Sequence, residues 1–518
     1  LFYATGSCRY GRVNSVTVLK KGNGGMLKTG AEHLESLRDG RRVYIGGELV
    51  DDVTTHPAFR NAAQSFAMLY DRKAAPENRE VMSFEEDGET YSSWFLMPRT
   101  KDDLVKRMET HRRIAEWSHG LLGRSPDHVT SFVTGLAMKP AMFDEIRPGF
   151  GKNIVNYYKY MRSNDVFATY TVLPPQGARK PELYEREGMK GPTLRVTDED
   201  DQGVTLNGMK MLGTSAVYAN ETWVGNLLPL APNQVKESIT CAVPLNAPGV
   251  TMWSRKPFER YAVSEFDNPL SWRFDETDAM VIFEDVKVPW EKVFVHDNAE
   301  MSRGIYVQSP SHSMGNHQSN IRFLEKLKFI VGLAHKIVET NGVGHIPAVQ
   351  GELGKLAARM AGLEAMIHGQ VQNAEEVVPG YLNINRRYMY AALHWCTTNY
   401  ADVCDIVREL MGGGPFQMPA DISVIGDEKM RQTFEDYWSV PGQSALDRMK
   451  LLKLAWDLLG SEFAGRHSQY EKFYAGPGFV VTNYSYLNAP WEALDGLVDD
   501  VLDSYDVPKD MKIRTVQD

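Results

Sequence analysis

The sequence predicts an α+β protein in which a helical segment leads into a β-rich segment and then into a bundle of four long helices. Three observations carry this expectation. Apolar residues recur at helical spacing up to about Tyr160, short β-rich runs crowd the stretch from Phe167 to Trp290, and helical spacing returns after about Ser311 and persists. The corresponding domains are expected at 26–165 (N-terminal, α-helical), 166–300 (central β-barrel) and 301–518 (four-helix bundle and tail).

Composition narrows the class. The chain has 518 residues, and 57 Lys and Arg against 67 Asp and Glu leave a formal charge of −10. At roughly 150 residues per domain that length suggests two to four domains. A hydrophobic fraction of 43% supports sizeable cores and excludes global disorder. A net acidic chain lacks the basic footprint of a nucleic-acid binder. The cysteines Cys8, Cys241, Cys396 and Cys404 are scattered without a CxxC pair, which argues against a disulfide framework and a structural zinc site. No apolar run approaches the roughly 18 residues of a membrane span. A soluble cytoplasmic protein, with neither a nucleic-acid nor a membrane partner, is the expectation.

Taken in order, residues 1–25 (LFYATGSCRYGRVNSVTVLKKGNGG) stand apart, with four basic and no acidic residues. They lack the continuous apolar core of a signal peptide. The expectation is that Met26 is the start and 1–25 a non-native leader; a basic binding tail is the alternative. RRVYIGGELV (41–50) reads as a hairpin turning at Gly46-Gly47. KDDLVKRMETHRRIAEWSHGLL (101–122) places Leu104, Met108, Ile114, Trp117 and Leu121 at spacings of three and four, a helix with one apolar face. FATYTVLPP, GVTLNGMKMLGTS, TWVGNLLPL, ITCAVPL, GVTMWSR and AMVIFEDVKVPW follow, broken by Gly, Pro and Asn as in a compact barrel or sandwich. Residues 318–342, 347–374, 385–412 and 444–474 each have the length and period of a long helix, and Gly412–Gly414 with Pro415 stop the third.

Neither G-x-G-x-x-G nor G-x-x-x-x-G-K-[ST] occurs, and H-E-x-x-H and G-x-S-x-G are absent too, so nucleotide-loop, metal-hydrolase and serine-hydrolase chemistry lack support. Four clusters remain. In GRSPDH (123–128), Arg124 projects from a constrained turn, suited to an anionic ligand oxygen or simply to capping helix carbonyls. In TYTVLPPQGAR (169–179), Tyr170, Gln176 and Arg179 lie at a strand exit, where ligands often sit. In NGMKMLGTSA (207–216), Asn207-Gly208 reads as a hairpin turn, while Thr214 and Ser215 end a strand with hydroxyls able to bond a heterocycle. In SHSMGNHQSNIRFLEKLKF (311–329), His317 stands near a helix start, which favours a neutral imidazole suited to a general base, although a lone His there is more often a solvated residue or a cap. GRHSQYEKFYAGPG (465–478) adds Arg466, His467, Tyr470, Lys472 and Tyr474, a mixture fit to clamp a nucleotide or to solvate a helix face.

Together these blocks resemble the 4-hydroxyphenylacetate 3-hydroxylase family, the oxygenase components of two-component, reduced-flavin-dependent aromatic monooxygenases. The blocks are HLESLRDGRRVYIGGELVDDVTTHPAFRNAA (33–63), GRSPD (123–127), the strand ending in PPQ (174–176), GTSA, VIFEDVKVPWEKVF (281–294) and GRHSQYEKFYAGP, six in order. The resemblance implies an acyl-CoA dehydrogenase-like fold and a homotetramer. It also implies FADH2, in preference to FMNH2, delivered by a separate NAD(P)H:flavin reductase, with O2 as co-substrate. The implied chemistry is hydroxylation of a phenol through a C4a-hydroperoxyflavin, in a site kept dry.

Carried over by position, Arg124 lies near flavin and substrate oxygen, and Gln176, Gly177, Arg179, Thr214 and Ser215 contact the flavin. His128 stands where the phenylacetate enzymes have a tyrosine, and Tyr170 where they have a histidine, so both are expected to contact a different substrate. His317 aligns with the base of the halophenol and nitrophenol hydroxylases, which points to a compact phenol and to loss of halide or nitrite where the attacked carbon bears one. No metal is implied. The related [4Fe–4S] dehydratase is excluded because Trp117 and Leu121 stand where it has cysteines, and a cluster needs its thiolates. An acyl-CoA dehydrogenase-like enzyme oxidising an acyl thioester is the alternative.

Overall fold

The computed structural model describes residues 27–178 and 181–506. Residues 1–25, expected to be a leader, and Arg179 therefore lie outside the described residues. The longer helices are α1 (Arg60–Ala74), α2 (Lys101–Trp117), α3 (Pro126–Ala137), α4 (Phe150–Asn164), α5 (Ser311–Thr340), α6 (Pro347–Gln372), α7 (Arg386–Met411), α8 (Glu428–Trp438), α9 (Ala445–Leu459), α10 (Glu462–Phe473), α11 (Gly478–Leu487) and α12 (Trp491–Leu502). No helix among the described residues is long and apolar enough to cross a membrane.

Local chemistry sets the element ends. α2 begins at a capping box in which the Thr100 hydroxyl accepts from Asp103 N–H and the Asp103 carboxylate returns the bond. The hairpin at 41–50 forms as read, β1 (Val43–Ile45) pairing with β2 (Glu48–Val50) around Gly46 at φ 59°. Ser83–Glu86 and Glu89–Ser92 form a further hairpin, β3–β4.

The six β-rich runs all become strands: β5 (Ala168–Thr171), β7 (Gly203–Thr214), β8 (Glu221–Val224), β9 (Thr240–Pro244), β10 (Val250–Ser254) and β11 (Asp278–Pro289). They are joined by β6 (Arg195–Glu199) and β12 (Val293–Val295). These strands do not close into the expected barrel. They make two open sheets, a six-stranded one ordered β2-β1-β10-β11-β7-β6 and a four-stranded one ordered β12-β9-β8-β5. A single bridge between Leu173 and Met211 joins the two. The β1–β10 and β5–β8 pairs are parallel, and such pairs cannot arise from hairpins alone. The Asn207-Gly208 turn is also corrected. β7 runs straight through it, because Gly208 at φ 121° lets the chain pass 2.6 Å (from a Cβ position) from the Thr193 carbonyl.

Three of the four expected bundle helices match α5, α6 and α7. The fourth breaks into α9 and α10, where Ser461 caps the new start by accepting from Ala464 N–H. α5 is the axle of the molecule, buried without interruption from Ser311 to Leu327, and α3 packs on it with all twelve residues buried. Their approach is so close that a Cβ on Gly315 would overlap the Phe132 ring.

Buried charge ties α10 to this axle. The Arg322 guanidinium grips the Glu471 carboxylate through both nitrogens, Nη2 to Oε2 at 2.7 Å, and Lys326 Nζ donates to Oε1 at 3.0 Å. Burial pushes the Glu471 carboxyl up, but the two cations outweigh it and hold it at about 2. Because the folded value is depressed, this contribution is complete above the unfolded value near ~4.3 and is lost as pH falls toward about 2. Glu471→Gln is expected to destabilise the fold by about 3–5 kcal/mol at neutral pH, since it strands buried cations. It should also flatten that acid limb. Denaturant unfolding across a pH series measures both, and an unchanged limb would mean that another carboxylate sets it.

Candidate active site

The GRSPDH turn forms the floor of the site. Gly123 is required there because a Cβ would run into the Tyr470 hydroxyl, so the turn and α10 pack backbone against ring. Pro126 opens α3 at its first position, where a missing N–H carries no penalty. Arg124, 6% exposed, is thereby held inside the protein. Its Nη2 donates to the Tyr474 carbonyl at 2.9 Å, and its guanidinium lies 4.9 Å from the Tyr170 ring centre and 5.4 Å from that of Tyr470.

His128, one turn into α3, joins the same cluster, its ring 5.4 Å from Tyr170 and 5.2 Å from Phe132. His128 Nδ1 bonds Gln318 Oε1 at 2.8 Å. Burial, then the Arg124 charge, hold its imidazolium well below the ordinary range, so the ring is neutral. Four buried polar atoms in this cluster have no partner: Arg124 Nη1, His128 Nε2 and the hydroxyls of Tyr470 and Tyr474. Buried polar atoms are normally satisfied, so a donor, an acceptor and two hydroxyls left over in one aromatic cluster mark a ligand site.

The GTSA turn reaches the cluster through Glu276. That carboxylate accepts from Arg124 N–H (3.0 Å) and the Ser215 hydroxyl (3.2 Å) through Oε2, and from Arg466 Nη1 (2.7 Å) through Oε1. The Thr214 hydroxyl donates to Asp278 at 2.6 Å, and Asp278 is gripped by Arg466 and Arg255. Burial pushes the Asp278 carboxyl up, and these guanidiniums outweigh it and hold it well below the carboxylate range. Ser215 sits at φ 63°, its N–H shared between the carbonyls of Glu276 and Thr277. Both hydroxyls are therefore already donating, which leaves their lone pairs to accept from a ligand.

Arg124, His128, Tyr170, Thr214 and Ser215 are thus brought into one connected region. Gln176 and Gly177 are not joined to it by any described contact. They lie exposed on the loop after β5, with Gly177 at φ 88°. His317 is also buried: its Nδ1 bonds Gln370 Oε1 of α6 at 2.6 Å, its Nε2 has no partner, and burial holds its imidazolium down at about 3. It shares no described hydrogen bond or ring contact with Arg124, His128 or Tyr170. Sequence reasoning missed Gln318, His111, Glu276, Asp278 and Glu471, because each acts through a partner distant along the chain. Two open clefts, one around Gly412, Trp438 and Arg448 and one around Arg72, Trp117 and His119, share no residue with the cluster.

Sequence profiles of the 4-hydroxyphenylacetate 3-hydroxylase N-terminal and C-terminal domains match residues 29–295 and 302–503. The chain belongs to the 4-hydroxyphenylacetate 3-hydroxylase family. It is 32% identical over 92% of its length to the oxygenase component of 4-nitrophenol 2-monooxygenase from a Rhodococcus species, and covers 92% of that protein. Among solved structures it is similar to the oxygenase component of 4-hydroxyphenylacetate 3-monooxygenase complexed with FAD and 4-hydroxyphenylacetate. There the TM-score is 0.86 and the identity 29%, over 92% of this chain and 98% of that one. An archaeal 4-hydroxybutyryl-CoA dehydratase from N. maritimus shares the fold, with a TM-score of 0.80 at 18% identity over 94% of this chain and 97% of that one.

His317→Ala leaves Gln370 Oε1 buried without a donor, so it is expected to destabilise the protein by about 1–3 kcal/mol in denaturant unfolding. Intact stability combined with loss of product would instead put His317 in the chemistry.

Proposed function

We propose that the chain is the oxygenase component of a two-component, FADH2-dependent monooxygenase that hydroxylates a compact phenol. The observation that carries this is the buried Arg124–His128–Tyr170 cluster, which offers an unpartnered donor and an unpartnered acceptor beside aromatic rings. A phenolic hydroxyl meets both needs at once, accepting from Arg124 and donating to His128, while its ring packs on Tyr170 and Phe132. The two monooxygenase relatives named above act on such rings, one with FAD bound, and their designation as oxygenase components implies a separate reductase.

Bound in this site, reduced flavin with O2 supplies the electrophilic hydroxyl group. Thr214 and Ser215 are the flavin contacts that the connected region supports, and Gln176, Gly177 and Arg179 are assigned to the flavin by the family resemblance alone. The protein's own contribution is to hold the phenol oxygen, to exclude water and to accept the phenolic proton at a neutral imidazole, His128 or His317. Removing that proton makes the ring a stronger nucleophile. Halide or nitrite leaves where the attacked carbon carries it.

Acyl-thioester oxidation, which needs a free catalytic carboxylate, is disfavoured by the pairing of Glu276, Asp278 and Glu471 with arginine or lysine. The division at about 165 and 300 keeps the site at the junction of all three segments. A homotetramer is supported by the apolar face that α11 and α12 leave open, with Phe479 77% and Leu497 66% exposed.

Rapid mixing of the protein, loaded anaerobically with FADH2, against oxygenated buffer and a panel of simple, halogenated and nitrated phenols tests the proposal. Hydroxylated product with little H2O2 is expected for at least one phenol. Release of all the oxygen as H2O2 with every phenol would refute it. Arg124→Ala should weaken phenol binding by about 1.5–3 kcal/mol, roughly ten- to hundredfold, in an equilibrium titration. An effect no larger than that of a surface substitution would remove Arg124 from the site.

A further inference from the structure

The bonds around His128 form a chain with only one consistent direction. The chain starts at the Asp127 carboxylate, 0% exposed, whose oxygens serve as acceptors. Its Oδ2 faces His111 Nδ1 at 2.7 Å, and its Oδ1 takes the Ser125 hydroxyl at 2.5 Å. Ser125 has then spent its proton and can only accept in turn. Gln318 places one end of its amide 3.3 Å from Ser125 Oγ and 3.4 Å from Asp127 Oδ1, so that end must be the NH2 group. The other end, the carbonyl Oε1, faces His128 Nδ1 at 2.8 Å, so Nδ1 must carry the ring proton. In a neutral ring the lone pair is then on Nε2, the atom that is buried, unpartnered and beside Arg124.

We propose that Asp127 and Gln318 are positioning residues that lock His128 in the tautomer whose Nε2 lone pair takes the proton of the substrate's phenolic hydroxyl. This rests on the phenol reading of the site and assigns the proton to His128 rather than His317. In the step, the phenol O–H bond breaks with its electron pair staying on oxygen, and an N–H bond forms at Nε2. The phenolate left behind faces the Arg124 guanidinium and the new imidazolium. Burial and the charges of Arg124 and Arg322 keep the ring unprotonated until the phenol arrives.

Absorbance titration with 4-nitrophenol reads this directly, because its phenol and phenolate forms differ in colour. In buffer acidic to its own pKa, the flavin-loaded wild-type protein is expected to bind it as the phenolate. Gln318→Met removes the lock, and the bound phenolate fraction should fall about tenfold or more relative to phenol. The double variant D127N/Q318E moves the carboxylate one link along the chain. The amide introduced at position 127 then donates to the carboxylate introduced at position 318, which still accepts from His128 Nδ1–H, so the phenolate should return. A merely structural role would leave the double variant as damaged as Gln318→Met. The lock is overturned if wild type binds neutral phenol, if Gln318→Met keeps the phenolate, or if the double variant fails to restore it. Absence of binding of 4-nitrophenol and of every other phenol to wild type would sink the phenol reading itself, and the lock with it.

Discussion

The structure depends on one constraint: charge taken out of water must be paired inside the protein. Two buried clusters meet it, and both use α10. On one side Arg322 and Lys326 of α5 share Glu471; on the other Arg466 reaches Glu276 and Asp278 at the start of β11. α10 is a short helix with little apolar face of its own, yet it is fixed between the bundle axle and the sheet. Glu276 then passes the constraint on, to the backbone of Arg124 and to Ser215. A break in either cluster would strand charge in the core, so the turn that carries Arg124 cannot drift.

That rigidity has a chemical use. Arg124 presents a donor whose position is set by the Tyr474 carbonyl and by aromatic rings on two sides. His128 presents an acceptor whose direction is set by its partner Gln318. Neither Arg124 Nη1 nor His128 Nε2 is engaged by another protein group, so binding a ligand there would need little reorganisation. The same burial keeps the imidazole neutral and water out, two conditions that a reactive oxidising site requires.

Where the sequence reading departs from the structure, the cause is contact between distant segments. Asn207-Gly208 carries a turn signal, but Gly208 serves the close approach of the Thr193 strand instead. The apolar period from 444 to 474 runs on past Gly460, yet Ser461 caps a new helix that must turn to bring Arg466 and Glu471 to their partners. Six β-rich runs point to a closed barrel, whereas parallel pairing of β1 with β10 and of β5 with β8 leaves two open sheets.

Local physics was enough for much of the molecule. Helical period, the six strand runs, the hairpin at Gly46 and the GRSPD and GTSA turns are readable because each depends on residues within a few positions of one another. Family blocks in the right order pointed to Arg124, His128 and Tyr170, and the fold brings these three side chains together. Other features required the folded chain. The pairing of Glu471, the bridge made by Glu276, the bond of His317 to Gln370 and the direction of the amide of Gln318 all join groups far apart in sequence. A hydrogen bond has a direction only once both partners are in place, so the tautomer argued for His128 is legible only in the tertiary structure.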